Sequence, residues 1–146
     1  MRRLIVIALF PAAIALGDEC VRSSGLSCPS NTIAASITTS DCAASDASGY
    51  DLWQFSGQSG DTITIDMTSS SFDTYLILLD PNDTPVAEND DASSSTTNSR
   101  IAFTLTSTGA WTIVANALAA NTSGDYTLSI SCPLTMAPIR RRAANH

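Results

Sequence analysis

The chain has 146 residues, with 14 acidic and 7 basic side chains and a formal net charge of −7 at pH 7. A surface with this charge repels nucleic acid and anionic lipid, so neither is an expected partner. The sequence contains no lysine, and its single histidine is the terminal His146. A serine nucleophile would therefore lack the neighbouring base that activates it, and we predict that the protein is not an enzyme.

Residues 1–17 have the pattern of a secretory signal peptide. Two arginines precede an apolar run, and Ala15-Leu16-Gly17 has the small-x-small form of a cleavage site. The run is shorter than the ~20 residues that span a bilayer, so we predict its removal and a secreted, extracellular protein without a membrane span. We expect a monomer consisting of an N-terminal segment (18–27), one domain (28–132) and a flexible C-terminal tail (133–146).

Four cysteines lie after the predicted signal peptide: Cys20, Cys28, Cys42 and Cys132. An even number of cysteines in an exported chain favours two disulfides, and zinc is disfavoured because there is no CxxC pair. Of the three possible pairings we prefer Cys28–Cys42 with Cys20–Cys132. The second bridge would tie the start of the domain to its last strand.

Apolar residues alternate with polar ones along most of the chain, which indicates β-strands. With well-marked turns between them, about eight short strands predict an all-β fold, an antiparallel, jelly-roll-like β-sandwich; a barrel is the alternative. The run 75–79 is apolar at every position and indicates a strand covered on both faces. Four aromatic residues are in phase with the apolar set and are predicted to lie in the core: Trp53, Phe55, Phe103 and Trp111. In chain order, the seven of these strands with definite bounds are 32–38, 50–55, 62–67, 75–79, 101–105, 111–115 and 126–132.

Acidic residues surround the strand 75–79. Asp73 begins this strand and Asp80 ends it, about 20 Å away on an extended chain, so the two cannot bind one ion. Asp80 has an ordinary explanation as the first residue of a turn before Pro81. Asp90 and Asp91 are adjacent in a turn and could both face one cation, so they are candidate ligands of a divalent metal such as Ca²⁺. The preferred alternative is that the acids around this strand only form turns and a solvated surface, because these residue types dominate turns.

Four segments, 50–67, 72–91, 99–115 and 124–130, resemble in their order the bacterial pre-peptidase C-terminal domain family. This family includes the collagen-binding domains of collagenases. The resemblance implies a jelly-roll-like sandwich that is usually appended to secreted peptidases and serves secretion, maturation or substrate binding without being catalytic. Here no peptidase lies between the predicted signal peptide and the domain.

The resemblance also bears on ligands. Asp51 matches one of the acids that bind calcium in the collagen-binding domains, so it joins Asp90 and Asp91 as a candidate metal ligand. The other acidic stretch of those domains has no counterpart, because residues 28–31 contain no acid. The positions that carry outward tyrosines there are Thr112, Val114 and Asn116 here, so collagen binding is not expected.

The sequence thus predicts a secreted, non-catalytic binding module with an extracellular protein or polysaccharide as its ligand. A structural or adhesive surface protein and a carbohydrate-binding module are the alternatives. The last of these would need exposed tryptophans, whereas both tryptophans are in phase with the core. Two glycosylation sequons begin at Asn82 and Asn121, both in predicted turns.

Overall fold

The computed structural model describes residues 21–22 and 25–133. The predicted signal peptide, 1–17, and the chain from residue 134 onward lie outside these residues. Within the described ranges there are ten β-strands, and no helix there has the length and apolar character to cross a membrane. The strands are β1 (Val21–Arg22), β2 (Ser30–Ile37), β3 (Cys42–Ala43), β4 (Ser48–Gly57), β5 (Thr62–Thr68), β6 (Thr74–Leu79), β7 (Pro85–Asn89), β8 (Ser99–Thr104), β9 (Gly109–Ala120) and β10 (Gly124–Ser131).

The strands form two sheets. The larger sheet has the order β1-β4-β9-β6-β7 with β3 also paired to β4, and the smaller has the order β2-β10-β5-β8. Every pairing is antiparallel except that of the two-residue strand β1 with β4. The prediction of an antiparallel β-sandwich is therefore confirmed, with eight longer strands and the two-residue strands β1 and β3.

One apolar cluster fills the space between the sheets. It takes alternate residues from each strand, as the two-residue repeat of side-chain direction requires. From the larger sheet come residues such as Trp111 and Ile113, and from the smaller sheet Ile65, Leu128 and Ile130, all with no measurable exposure. Full burial of a side chain of this size stabilises the fold by about 1.5–3 kcal/mol, so this interior is the main source of stability.

Strand β6 is covered on both faces, as the sequence predicts. Leu76 and Leu78 belong to the interior cluster, while Tyr75, Ile77 and Leu79 point to the outer side of the larger sheet and belong to a second apolar cluster. All six residues of the strand are buried. The continuous apolar run thus reflects two different environments on opposite sides of one strand.

The preferred disulfide pairing is wrong. Cys28 is bonded to Cys132, with 5.4 Å between their Cα atoms, so neither Cys28–Cys42 nor Cys20–Cys132 forms. The register explains this, because Ser30 at the start of β2 pairs with Ser131 at the end of β10, which brings the two flanking cysteines together. Cys42 is also disulfide-bonded, and Cys20 lies outside the described residues.

We expect the double substitution Cys28→Ser/Cys132→Ser to lower the free energy of unfolding by about 3–5 kcal/mol, because an untied loop of this length gains much entropy in the unfolded chain. The bridge closes a sequence separation of 104 residues. Guanidinium unfolding measures the change. Ser30→Ala/Ser131→Ala, on exposed neighbours of the same two strands, is the matched control, and a loss no larger than that of the control contradicts the expectation.

Candidate functional site

Three carboxylates meet at one end of the larger sheet. Asp73 directly precedes β6, and Asp90 and Asp91 directly follow β7. Because these strands are antiparallel neighbours, the start of one and the end of the other lie side by side. One carboxylate oxygen from each residue lies within 4.8 Å of the others. We call Asp73, Asp90 and Asp91 the acidic cluster.

The backbone around the acidic cluster is fixed by hydrogen bonds from the neighbouring sheet. The Ser99 hydroxyl donates to the Asp90 carbonyl at 2.5 Å, and the Arg100 amide donates to Asn89 Oδ1 at 2.9 Å. Ser99 is 1% exposed, and its hydroxyl also lies 2.7 Å from that of Thr74, which is fully buried. The end of β7 and the start of β6 are therefore both anchored to β8, and the carboxylates are held on a rigid corner of the sandwich.

The carboxylates of the acidic cluster destabilise each other. Burial, followed by the charges of Asp90 and Asp91, raises the pKa of Asp73, and burial followed by the charge of Asp91 raises the pKa of Asp90. Asp73 Oδ1 and Asp90 Oδ1 are buried and have no hydrogen-bond partner among the described residues. Buried polar atoms without partners are rare in folded proteins, so this pair of oxygens is the most unusual feature of the site.

Of the three predicted metal ligands, the structure brings Asp90 and Asp91 together but not Asp51. Asp51 pairs with Ala115, which pairs with Leu76, which in turn pairs with Asn89. Three strand spacings of about 4.8 Å separate Asp51 from β7, roughly 14 Å in total. The third carboxylate of the cluster is instead Asp73. The sequence places Asp73 at the start of a strand, but nothing in the sequence indicates that the end of β7 lies next to Asp73.

Asp51 has a different environment, inside the sandwich. It is 1% exposed and accepts a 2.6 Å hydrogen bond from the Tyr126 hydroxyl, which itself accepts one from Trp53 Nε1 at 2.8 Å. Trp53 and Asp51 belong to the larger sheet and Tyr126 to the smaller one. This polar chain crosses the otherwise apolar interior and holds the two sheets together.

Asp80 stabilises the turn between β6 and β7. Its Oδ1 accepts hydrogen bonds from the backbone amides of Asn82 at 2.8 Å and Thr84 at 3.0 Å, and its carbonyl accepts one from the Asp83 amide. Asp83 has a φ of 59°, a left-handed conformation that Asp and Asn tolerate better than most residues. These residues therefore have the structural role that turn chemistry predicts. Asn82 and Asn121, which begin the two sequons, are exposed.

The predicted core aromatic residues all contact the interior cluster. Phe55 and Trp111 are 3% and 0% exposed, and Trp53 is 9% exposed. Phe103 is half-buried and packs against the cluster, with its ring centroid 6.1 Å from that of Trp111. Since both tryptophans of the chain are in the interior, neither presents a ring face to a sugar.

Two antiparallel sheets, with a cluster of carboxylates at one end of the larger sheet, define the class of the protein as a β-sandwich module. Residues 49–117 match the family model described as "Bacterial pre-peptidase C-terminal domain". The predicted resemblance to this family is confirmed over residues 49–117. A comparison with curated protein sequences gave no significant match.

Solved structures of low sequence identity share the fold. The pre-peptidase C-terminal domain of Bacillus anthracis collagenase has 18% identity and a TM-score of 0.51, covering 77% of this chain and 93% of that chain. PliG from Aeromonas hydrophila, a periplasmic lysozyme inhibitor of g-type lysozyme, has 14% identity and a TM-score of 0.53, covering 77% and 96%. PliG from Salmonella Typhimurium has 14% identity and a TM-score of 0.52, with the same coverage.

Substitution of Tyr126 by Phe should lower the free energy of unfolding by about 1–3 kcal/mol, because it removes the donor to buried Asp51 and the acceptor for Trp53. Chemical denaturation measures the loss. Tyr75→Phe is the control, since its hydroxyl donates to exposed Glu88 at 2.7 Å in a partly buried place. Equal losses of unfolding free energy in the two variants would show that the hydrogen bonds of Tyr126 contribute no more to stability than the single bond of Tyr75.

The acidic cluster should also make stability depend on pH when divalent cations are chelated. The folded-state pKa values of Asp73 and Asp90 lie above 3.8, the ordinary pKa of an aspartate, so the native state binds more protons than the unfolded state in the pH range between the two values. Their destabilising effect is complete above the raised values and disappears as the pH falls through them towards 3.8.

We therefore expect Asp73→Asn/Asp90→Asn in chelator to be more stable than the wild type at pH 7 by on the order of 1 kcal/mol, the repulsion of two charges about 4 Å apart in water. Thermal unfolding between pH 4 and 7 measures the difference, which should shrink as the pH falls. Asp83→Asn removes one exposed charge from the β6–β7 turn and is the control. A difference that grows on acidification would contradict the assignment.

Proposed function

We propose that the protein is an extracytoplasmic, non-catalytic binding module whose acidic cluster binds a divalent cation, with Ca²⁺ as the best fit. The observation that supports this most directly is the convergence of three carboxylates from two chain segments, two of which have buried oxygens without a hydrogen-bond partner in the described part of the chain. A cation would supply the missing partner for both oxygens and neutralise the repulsion between them.

The donor set favours calcium over other metals. The cluster contains carboxylate oxygens alone, which suits hard cations such as Ca²⁺ and Mg²⁺, whereas zinc and copper sites usually include histidine or cysteine. Calcium takes six to eight oxygens in flexible geometry. Asp73, Asp90 and Asp91 could supply three to six of them, and the exposure of Asp91 leaves one side of the cluster open to water.

The bound cation would have a structural effect on its surroundings. Asp73 leads into β6, while Asp90 and Asp91 open the loop that runs to β8 at Ser99. An ion shared by these residues would tie that loop to the sheet edge. The loop is then the part of the surface whose order depends on the cation, and it is where we place the calcium-dependent part of ligand binding.

A location outside the cytoplasm is supported by three observations. The described Cys28–Cys132 disulfide requires oxidising conditions, which the cytoplasm usually lacks. The family is found in secreted peptidases, and residues 1–17 have the pattern of a signal peptide. Secretion to the extracellular space is the finer proposal that these observations favour.

The proposed ligand is an extracytoplasmic protein or polysaccharide. The PliG proteins, which have this fold, are lysozyme inhibitors, so the fold is compatible with a protein ligand. Trp53 and Trp111 are 9% and 0% exposed, which argues against the carbohydrate-binding alternative that relies on stacking sugars on tryptophan. The acidic, hydroxyl-rich surface leaves the structural or adhesive role as the second candidate.

Calcium should raise the thermal stability of the protein. At a concentration 100 times the dissociation constant, binding to the native state alone adds about 2.7 kcal/mol to the free energy of unfolding. Asp90→Asn should lose this gain while being more stable than the wild type in chelator, so the order of the two proteins reverses when calcium is added. Differential scanning calorimetry in calcium and in chelator measures both effects.

Asp83→Asn is the matched control and should respond to calcium like the wild type, since Asp83 is an exposed turn residue outside the cluster. Absence of a calcium-dependent shift in the wild type, or an equal loss of the shift in Asp83→Asn, would overturn the proposed cation site. The same calorimetric measurement with Mg²⁺ in place of Ca²⁺ identifies the preferred ion by the larger shift in melting temperature.

A further inference from the structure

Strand β2 forms one edge of the smaller sheet. Among the described strands it pairs with β10 alone, and its eight residues, Ser30–Ile37, include no charged side chain. An edge strand presents a row of unpaired amide and carbonyl groups, to which another strand can add by hydrogen bonding. Proteins usually block such an edge with a charge, a proline, a bulge or a very short strand. None of these features occurs within β2, whose register with β10 is unbroken.

The other edges of the two sheets carry such protection. At the far edge of the smaller sheet, β8 contains the exposed Arg100, whose amide already donates to Asn89 Oδ1 at 2.9 Å. In the larger sheet, β7 begins with Pro85 and contains Glu88, while β1 and β3 have two residues each. In the described part of the chain, β2 is therefore the edge strand that is long, regular and uncharged.

The hydrogen-bond pattern identifies which backbone groups of β2 lie on its free side. The Cys132 amide donates to the Pro29 carbonyl at 2.7 Å, directly before β2 and in the same register with β10. In an antiparallel pair, residues that are hydrogen-bonded to the partner strand alternate with residues whose amide and carbonyl groups point the other way. Counting in steps of two from Pro29, the odd-numbered residues bond to β10. The free side therefore carries the backbone groups of the even-numbered residues: Ser30, Thr32, Ala34 and Ser36.

The free side of β2 is accessible. Three of these four residues are exposed and the fourth, Ser36, is half-buried. The residues that precede β2 approach it from the interior side, where the Asn31 side-chain amide donates to the Gly25 carbonyl. A Cβ added to Gly25 would lie 3.5 Å from Ile33 Cγ2, so the glycine leaves the space beside Ile33 free of a further side chain.

An apolar side chain lies at the centre of this edge. Ile33 is partly buried and packs against the interior cluster, as does Ala35 two residues later. Both side chains are at the place where the sandwich ends, because the smaller sheet has no described strand beyond β2. A strand added to β2 would place its own inward-facing side chains against Ile33 and Ala35 and complete their burial.

The edge is complementary to a second copy of itself. When two β2 strands run antiparallel with Ile33 opposite Ile33 of the second copy, Thr32 lies opposite Ala34 of that copy. Ser30 likewise lies opposite Ser36. Each of these four symmetric pairs exchanges two hydrogen bonds, so the edge supplies about eight. A shift of one copy by two residues leaves three such pairs within the strand, which favours the register with Ile33 on the two-fold axis.

Charge does not oppose this pairing at close range. The acid in the adjacent strand is Asp125, which pairs with Ser36 and accepts a 2.6 Å hydrogen bond from its hydroxyl. Because Ser36 faces Ser30 of the second copy, the two Asp125 side chains are six residues apart along the strands, about 20 Å. This distance exceeds the Debye length of ~8 Å at physiological ionic strength, so their repulsion is largely screened.

We propose that β2 is a homodimer interface, through which two copies join their smaller sheets edge to edge into one continuous sheet. The proposal departs from the monomer expected from the sequence alone. It is independent of the cation site, because the acidic cluster lies at the ends of β6 and β7 in the larger sheet. A dimer presents every binding surface twice, which raises avidity for a ligand with repeated sites.

Sedimentation velocity of the exported protein over a range of concentrations tests the proposal, and we expect the wild type to dimerise. In Thr32→Lys/Ala34→Lys the dimer dissociation constant should rise by roughly tenfold or more, because each new lysine directly faces a lysine of the second copy. The two lysines also lower the net negative charge of −7, so a general charge effect would strengthen association instead.

Ala102→Lys/Thr104→Lys is the matched control. It changes the same residue types at the same spacing, and both positions are exposed on β8, the opposite edge of the same sheet. This variant should dimerise at least as tightly as the wild type. Circular dichroism of both variants verifies that each remains folded.

A cysteine on the two-fold axis tests the register. In Ile33→Cys the two new thiols face each other with Cα atoms about 4.5 Å apart, a separation that a disulfide can span. In Ala35→Cys the thiols are four residues apart along the strands, about 14 Å. Under mild oxidation, a non-reducing gel should show at least roughly tenfold more cross-linked dimer for Ile33→Cys, given the reach of a disulfide.

A wild type that stays monomeric at every concentration would overturn the proposal and leave the β2 edge to an extended segment of a different protein. Equal weakening of the dimer in the two lysine variants would place the contact on another surface and overturn it as well. Cross-linking of Ala35→Cys that matches that of Ile33→Cys would have the same consequence, since it excludes the register on which the pairing depends.

Discussion

The fold depends on the pairing of β9 with its two neighbours. This strand has twelve residues and lies between β4 and β6 in the larger sheet. Its alternate residues point to the interior and form part of the apolar cluster between the sheets: Trp111, Ile113, Ala115 and Ala117. A one-residue slip of a strand would exchange its two faces, so burial of Trp111 fixes the register of all three strands. The positions of the other functional residues follow from that register.

The register places similar side chains in very different environments. Asp51 faces the interior because its partner Ala115 does, and it is held there by Tyr126. Asp73 lies one residue before Thr74, which pairs with Ala117, and so reaches the end of the sheet where Asp90 emerges from β7. Asp51 is a structural element of the core and Asp73 is a candidate ligand, although both lie at the edge of an apolar run in the sequence.

Much of the fold is predictable from the sequence because the alternation of apolar and hydroxyl-bearing residues has a direct physical meaning. The runs around Ile65, Trp111 and Leu128 identify inward-facing strands without reference to their neighbours in space. The continuous run 75–79 correctly indicates a strand buried on both sides. These signals are local, since each strand shows its buried face in its own residues.

The features that escaped prediction depend on contacts between distant segments. The pairing of Cys28 with Cys132 follows from the alignment of β2 with β10, and nothing near either cysteine in the sequence specifies that alignment. Asp73 joins Asp90 because β6 and β7 are antiparallel and nearly equal in length. For Asp51, similarity to a family pattern suggested a metal ligand, whereas Tyr126, seventy-five residues away, is its observed partner.

The hydrogen-bonded chain from Trp53 through Tyr126 to Asp51 has a consequence for how uniquely the two layers are aligned. Apolar contact is non-directional, so one apolar sheet could shift relative to the other by a fraction of a residue at little cost in free energy. A hydroxyl held between an indole and a carboxylate at 2.8 and 2.6 Å permits no such sliding. The directional hydrogen bonds among these three polar groups therefore fix the position of one sheet relative to the other, and they select one alignment from many that apolar contact alone would leave nearly equal in free energy.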